Sequence, residues 1–187
     1  MQDIFFTASR PFYQSVSLMT LGPITLDNYS VFAAGFFKED NKPISQKDIS
    51  TVYNLFEGHT WYMQYAFNKL YSTAADNEKI TGELIYYSIK NVVYSFDLVY
   101  QGILSNLPER QKEVLYAIAK EGRPVETTSA DFIRKHGLKS SSSVQAAARQ
   151  PVNREIISNE DNSYYVPDRF FGLGLGEEYG KGIDTLL

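Results

Sequence analysis

The sequence predicts a mainly α-helical protein in two parts. A helical bundle occupies about residues 1–105, and three shorter helices closed by a small β-wing occupy about residues 106–171. Three observations predict this. Apolar residues recur at helical spacing in successive segments between Asp27 and Leu104. A second series of shorter helical segments, each with a capping residue or a terminating glycine, follows Pro108. Two short alternating stretches then flank the polar run Asn159–Ser163.

Residues 1–24 show no helical period. Ile4, Phe5 and Phe6 suit the end of a strand, Pro11 keeps Arg10 out of a helix, and Gly22-Pro23 closes the stretch. A helix opens near Asp27, where Tyr29, Phe32, Ala33, Phe36 and Phe37 share helical spacing, and Asn41-Lys42-Pro43 ends it. Ser45-Gln46-Lys47-Asp48 has the form of a capping box with Asp in place of Glu. The helix it opens sets Ile49, Val52, Tyr53 and Phe56 on one face and stops near Gly58. His59 to Ser72 forms a third helix carrying Tyr62, Met63, Ala66, Phe67 and Leu70. Thr81 caps a long fourth helix reaching about Leu104. Its apolar set runs from Leu84 through Val99 to Ile103, too continuous for a surface helix, so it packs on both neighbours.

Asn106-Leu107-Pro108 marks the boundary, with Pro108 suited to a first helical turn. Val114, Leu115, Ile118 and Ala119 form the stripe of the next helix, and Gly122 ends it. Thr127 or Thr128 caps a short second helix with Phe132 and Ile133 inside and Gly137 as its stop. Ser141 or Ser142 caps the third, and Gln145 completes a Ser-x-x-Gln box from Ser142. Pro151 breaks or kinks that helix. Ile156–Ser158 and Tyr164–Val166 alternate as strands. Three helices followed by a hairpin is the order of a winged helix-turn-helix. The tail from residue 172 to 187 is Gly-rich and reads as a flexible extension.

Composition narrows the function classes. The 187 residues contain no cysteine, which excludes disulfides, zinc-thiolate sites and cysteine nucleophiles and suits a reducing compartment. No stretch approaches the roughly 20 apolar residues of a membrane span, and Met1–Arg10 lacks the basic and apolar regions of a signal peptide. The expected location is cytoplasmic, with no membrane partner. Residues 1–104 hold 7 Lys/Arg against 10 Asp/Glu, residues 105–171 hold 10 against 9, and residues 172–187 hold 1 against 3. The winged segment is thus the least acidic part, without being a strongly basic patch. Non-specific DNA affinity comes mainly from phosphate neutralisation, so any DNA contact depends on local placement.

The chain resembles a known family through Arg10-Pro11-Phe12-Tyr13, Met19-Thr20-Leu21-Gly22-Pro23-Ile24 and Gly58-His59-Thr60-Trp61-Tyr62. The resemblance continues through Leu107-Pro108-Glu109-Arg110-Gln111, Leu115-Tyr116-Ala117-Ile118-Ala119 and Tyr164–Phe171. In these motifs and their order it is similar to the C-terminal half of the archaeal-type AAA ATPases, P-loop proteins related to the STAND class. Those place a helical lid after the nucleotide-binding core and then a winged helix. The resemblance implies a lid-like bundle at 1–105 and a winged-helix domain at 106–171. It also implies ATP and Mg for an intact family member. No G-x-x-x-x-G-K-[ST] occurs here, and no strand ends in the paired acids that hold magnesium. The expectation is a chain without catalytic residues or a cofactor of its own, either a truncated reading frame or one half of a split ATPase.

The resemblance assigns nucleotide sensing to Arg10, Gly58, His59 and Thr60. Gly58-His59-Thr60 matches the family's Gly-His-Pro lid motif, with Thr60 replacing Pro. Gly permits close backbone approach to a base, and His offers a stacking face and a donor. The structural alternative is a helix-terminating Gly followed by a capping His. Arg10 can act as an arginine finger or be a surface Arg beside a turn. On the third winged helix the DNA-binding candidates are Ser141, Ser142, Ser143, Gln145, Arg149 and Arg154. Hydroxyls and free amides at a helix N-terminus suit phosphate, and Gln145 and Arg149, one turn apart, suit base edges. Lys139, Arg149 and Arg154 are the helix's only basic residues, Ala146–Ala148 read no bases, and the wing tip Asn159-Glu160-Asp161-Asn162 is acidic and repels phosphate. His59 and His136 lack metal-ligand company, and no metal site is expected.

Three functions stay open. The first is a non-catalytic regulatory and binding module with a winged helix directed at duplex DNA. The second is a protein-interaction module whose winged helix contacts a P-loop core or another copy. The third is half of a split ATPase that hydrolyses ATP only with its P-loop partner.

Overall fold

The computed structural model describes Met19, residues 22–122 and residues 124–179. Expectations for residues 1–18, Arg10 among them, and for 180–187 fall outside the described residues. The described chain forms α1 (Leu26–Glu39), α2 (Gln46–Leu55), α3 (Thr60–Thr73), α4 (Gly82–Ser95), α5 (Asp97–Ser105), α6 (Glu109–Glu121), α7 (Ala130–Lys135) and α8 (Ser141–Asn153). The strands β1 (Ser158–Glu160) and β2 (Ser163–Tyr165) follow, and α9 (Arg169–Tyr179) comes last. It is a mainly helical bundle followed by three helices and an antiparallel hairpin, as the sequence predicts.

The bundle forms where the apolar periods place it. On α1 the inward stripe is Tyr29, Ala33 and Phe37; Phe32 and Phe36, expected with them, face outward at 59% and 51% exposure. The Ser45 hydroxyl accepts from the Asp48 amide at 3.1 Å and donates to the Asp48 carboxylate at 2.6 Å, starting α2. Lys42, in the segment read only as a helix breaker, is buried. Its ammonium donates to the Tyr71 and Ala74 carbonyls, each at 3.0 Å, and lies 4.5 Å from the centre of the Tyr71 ring. It thereby satisfies carbonyls at the C-terminus of α3, where the helix dipole favours a cation.

The expected long fourth helix is two helices. It breaks at Phe96, whose φ of −97° and ψ of 0° leave the α region. The Phe96 amide bonds the Val93 carbonyl three residues back, tightening the last turn of α4. The break turns α5 so that Val99, expected inside, is exposed, while Tyr100 and Leu104 are buried.

In the second part, α6 buries Val114, Leu115, Ala117 and Ile118 and ends at Gly122 with φ +65°. The short α7 starts one residue later than expected. Ser129, not Thr127 or Thr128, accepts from the Phe132 amide, while Thr127 is fully buried. Likewise Ser140, ahead of the expected Ser141 or Ser142, caps α8 by accepting from the Ser143 amide. Pro151 does not break α8: the helix runs two residues past it, although its ring leaves the carbonyl four residues back without an amide donor. Its carbonyl, unaffected by the ring, accepts from the Ile156 amide at 2.9 Å. The hairpin pairs Ser158 with Tyr165, Asn159 with Tyr164 and Glu160 with Ser163. It turns on Asp161 and Asn162, both at positive φ, so the strands run closer to the tip than the sequence pattern suggests. Val125, between α6 and α7, exchanges two backbone hydrogen bonds with Tyr164 and extends the wing inward.

The Gly-rich tail is not a flexible extension as far as Tyr179. Residues 169–179 form α9, which packs on α6 and α4. Three glycines weaken a lone helix by about 1 kcal/mol each, so tertiary burial of Phe170, Phe171 and Leu175 is what supports it. The ring of Phe170 lies 5.1 to 6.0 Å from those of Phe56, Trp61, Tyr62, Tyr65 and Phe96. Phe171 meets Tyr100 at 4.7 Å. The segment after the wing thus returns to the bundle and joins the two parts.

Candidate nucleic-acid interface

The outer face of α8 is set by what its inner face buries. Val144, Ala148 and Pro151 pack inward, with α6 behind them. The spacing then leaves Ser142, Gln145, Ala146 and Arg149 exposed along one stripe. Ser141 and Ser143 are half-buried at the first turn. The Ser143 amide is committed to the Ser140 cap, and the Ser142 hydroxyl lies 3.1 Å from that of Ser140. Arg154, grouped with Arg149 in the sequence, goes elsewhere: it is the C-cap of α8, and its guanidinium donates to the Asn106 carbonyl at 3.5 Å. The structure therefore brings together Ser142, Gln145 and Arg149 and separates Arg154 from them.

Among the described residues the side chains of Arg149 and Lys139 make no hydrogen bond or ion pair, and both residues are exposed. Arg110 and Lys120 are likewise exposed and without an ion pair among the described residues, whereas three other cations of this part are engaged by acids. Arg134 holds Asp131 at 2.6 Å, Lys135 holds Glu121 at 2.6 Å, and Lys112 holds Glu109 at 3.3 Å. His136 lies 2.7 Å from the same Glu121 oxygen. The hydrogen bond from Lys135, reinforced by His136, holds the Glu121 carboxyl below its ordinary range despite its burial. The wing carries no cation between Ser158 and Tyr165. Glu160 accepts from the Tyr165 hydroxyl at 2.7 Å, which pushes that phenol's pKa up. Chemically, the stripe offers a guanidinium suited to phosphate or guanine and an amide suited to adenine. The wing offers negative charge.

Three helices are thus followed by a hairpin that pairs back with Val125 between the first two. Residues 98–177 match the family model described as a probable winged helix domain. No curated protein and no solved structure matches the chain. The winged-helix match starts in α5 and ends in α9, wider than the 106–171 span read from the sequence. Of the two flanking helices, α9 packs along α6, while α5 buries Leu104 just ahead of it. Among the described residues no helix is long and apolar enough to cross a membrane. No cluster of three or more His, Asp or Glu among them is placed to hold a metal.

The residues assigned to nucleotide sensing, other than Arg10, lie at the corner between α2 and α3. Gly58 is buried at φ +72°, and a Cβ there would stand 2.7 Å from the Tyr53 hydroxyl oxygen. That hydroxyl donates to the Ile24 carbonyl at 2.8 Å, so glycine at 58 has a packing reason of its own. His59 is the N-cap residue of α3 without a side-chain capping bond. It is exposed, with its ring 4.8 Å from that of Tyr62, and Thr60 begins the helix. Two contacts that sequence reasoning missed fix these elements. Gln111 on α6 donates to Gln150 on α8 at 2.9 Å. Arg169 at the start of α9 pairs with Glu57 beside Gly58. Both pairs are too far apart in sequence for any local pattern to reveal.

Proposed function

We propose that the chain is a non-catalytic binding module whose winged helix contacts duplex DNA through the outer stripe of α8. The observation that carries this reading is the unpaired, exposed Arg149, one turn from Gln145, on the helix that follows the turn of a winged helix. A guanidinium free of acidic partners is available to phosphate or to a guanine edge, and an adjacent amide suits adenine. The acidic wing points to a docking mode in which α8 enters the groove and the wing stays off the backbone. Phosphate contacts are then few and the salt dependence shallow.

By its resemblance to archaeal-type AAA ATPases, the bundle is in this reading the regulatory lid of a nucleotide-driven switch. Arg10 and the Gly58–Thr60 corner would sense ATP and Mg held by a P-loop core. The Glu57–Arg169 pair supports that role, since it links this corner directly to the helix that returns from the wing.

A second reading is favoured by the wing itself. Glu160 and Asp161 at the tip, with no cation between Ser158 and Tyr165, suit a protein surface better than phosphate. In that reading the winged helix contacts another protein, the P-loop half of a split ATPase included. Fluorescence anisotropy of a labelled mixed-sequence duplex at rising salt tests the choice. Binding that weakens with salt supports the DNA reading. Absence of binding at low salt sinks it and favours the protein reading, which recovery of ATP hydrolysis on adding a P-loop core would then extend.

A further inference from the structure

The bundle carries an aromatic face whose outer side no described residue covers. Phe32 and Phe36 of α1 and Gln64 and Asn68 of α3 line one shallow groove of about 180 Å³. Along α3 the face continues through Tyr65 to Trp61, whose rings lie 5.5 Å apart. Phe32, Phe36, Trp61 and Tyr65 are 59%, 51%, 54% and 39% exposed. Phe32 and Phe36 were expected in the core by their spacing, yet α1 already fills its inner stripe with Tyr29, Ala33 and Phe37.

We infer that this face joins two copies of the chain in a symmetric dimer. The first argument is area. Each ring has on the order of 200 Å² of surface, and about half of it is exposed, leaving roughly 400 Å² of aromatic surface. That is within the range of the largest patch a monomer ordinarily shows, which is often functional. It is also about half of the roughly 800 Å² each partner contributes to a stable interface, a fitting share for its apolar centre. The second argument is charge. A two-fold interface brings a surface against itself, so any single-sign charge on it is repelled. This face has no Asp, Glu, Lys or Arg among its six residues. The polar groups it does have are the amides of Gln64 and Asn68, each both donor and acceptor, which can pair with their own copies. The face belongs to α1 and α3, so the dimer leaves the α8 stripe uncommitted. The inference therefore holds whether α8 meets DNA or protein.

Sedimentation velocity of the full chain, from low to high micromolar concentration, tests it. The expected result is a reversible monomer–dimer equilibrium. Phe32→Glu and Gln64→Glu, both at exposed positions, should each weaken it at least about tenfold. Val31→Glu, exposed on the side of α1 that faces α2, adds the same charge off the face and should leave it unchanged. A chain that stays monomeric throughout overturns the inference and leaves the face to a different occupant. A dimer that survives both Phe32→Glu and Gln64→Glu overturns it as well.

Discussion

Gly174 of α9 approaches Val93 of α4 so closely that a Cβ at position 174 would stand 3.1 Å from Val93 Cγ1. The glycine lets the helix that follows the wing settle against the bundle. Val93 is buried and β-branched, with one favoured rotamer in a helix, so it has little room to turn aside. Gly174→Ala should therefore lower stability by about 1 kcal/mol, because overpacking outweighs the gain in helix propensity. Two residues earlier the sign reverses. A Cβ at Gly172 meets Val166 at an ordinary 3.8 Å, and Gly172→Ala should add about 0.5–1 kcal/mol. Urea denaturation of the two variants checks the pair, and equal signs would contradict the close approach.

Phe170 is the residue on which the joint between the two parts depends most. It is 1% exposed and surrounded by five aromatic rings. Phe170→Ala should cost about 3–5 kcal/mol. Its effect should extend to both parts, read as faster amide exchange in α3 and α6 alike. Loss confined to α6–α8 would mean that the bundle stands without α9.

Lys42 acts as a buried cap rather than a surface charge. Lys42→Met keeps the stem and removes the ammonium that serves the Tyr71 and Ala74 carbonyls. A loss of about 1.5–3 kcal/mol is expected, the range for hydrogen bonds to a charged group. Because the ammonium is buried, the loss should change little with added salt. A variant as stable as the parent in thermal melts would place the ammonium outside the fold.

Glu121 should make the winged helix sensitive to acid. Its carboxyl is held below the ordinary range, first by the Lys135 hydrogen bond and then by His136. A carboxylate with a lowered folded-state pKa contributes stability that is full above its unfolded value and is lost as pH falls through the folded one. The melting temperature should thus fall as pH drops below about 4.5, and Glu121→Gln should flatten that part of the curve. An identical acid limb in the variant would assign the sensitivity to other carboxylates.

The helices and their caps were legible wherever a local signal decides them. Ser45 with Asp48, Gly122 and Gly137 stand where their patterns put them. Local signals failed where two candidates compete or where packing overrides period. A run of neighbouring hydroxyls at 127–129 and at 140–143 cannot say which one caps, since each is a good acceptor. The apolar period through Phe96 hides a break that only the packing of α5 requires. The tail is the clearest case. Three glycines argue against a helix, and burial of Phe170, Phe171 and Leu175, the first among rings from α3 and from the residues that end α2 and α4, is what makes α9 form. The same limit applies to the interface. Gln145 and Arg149 follow from helical spacing, whereas the diversion of Arg154 to Asn106 depends on a contact across 48 residues.

The central claim is that Arg149 is the exposed cation through which α8 meets duplex DNA. The most direct test is the salt dependence of duplex binding, measured by anisotropy for the parent chain and for Arg149→Ala. The account predicts salt-sensitive binding by the parent. In Arg149→Ala it predicts either weaker binding with the slope of log K against log salt reduced by about 1, as for one lost phosphate contact, or a loss of about 1–3 kcal/mol confined to one base position. Binding that is unchanged in Arg149→Ala, or no binding by the parent at low salt, would contradict it.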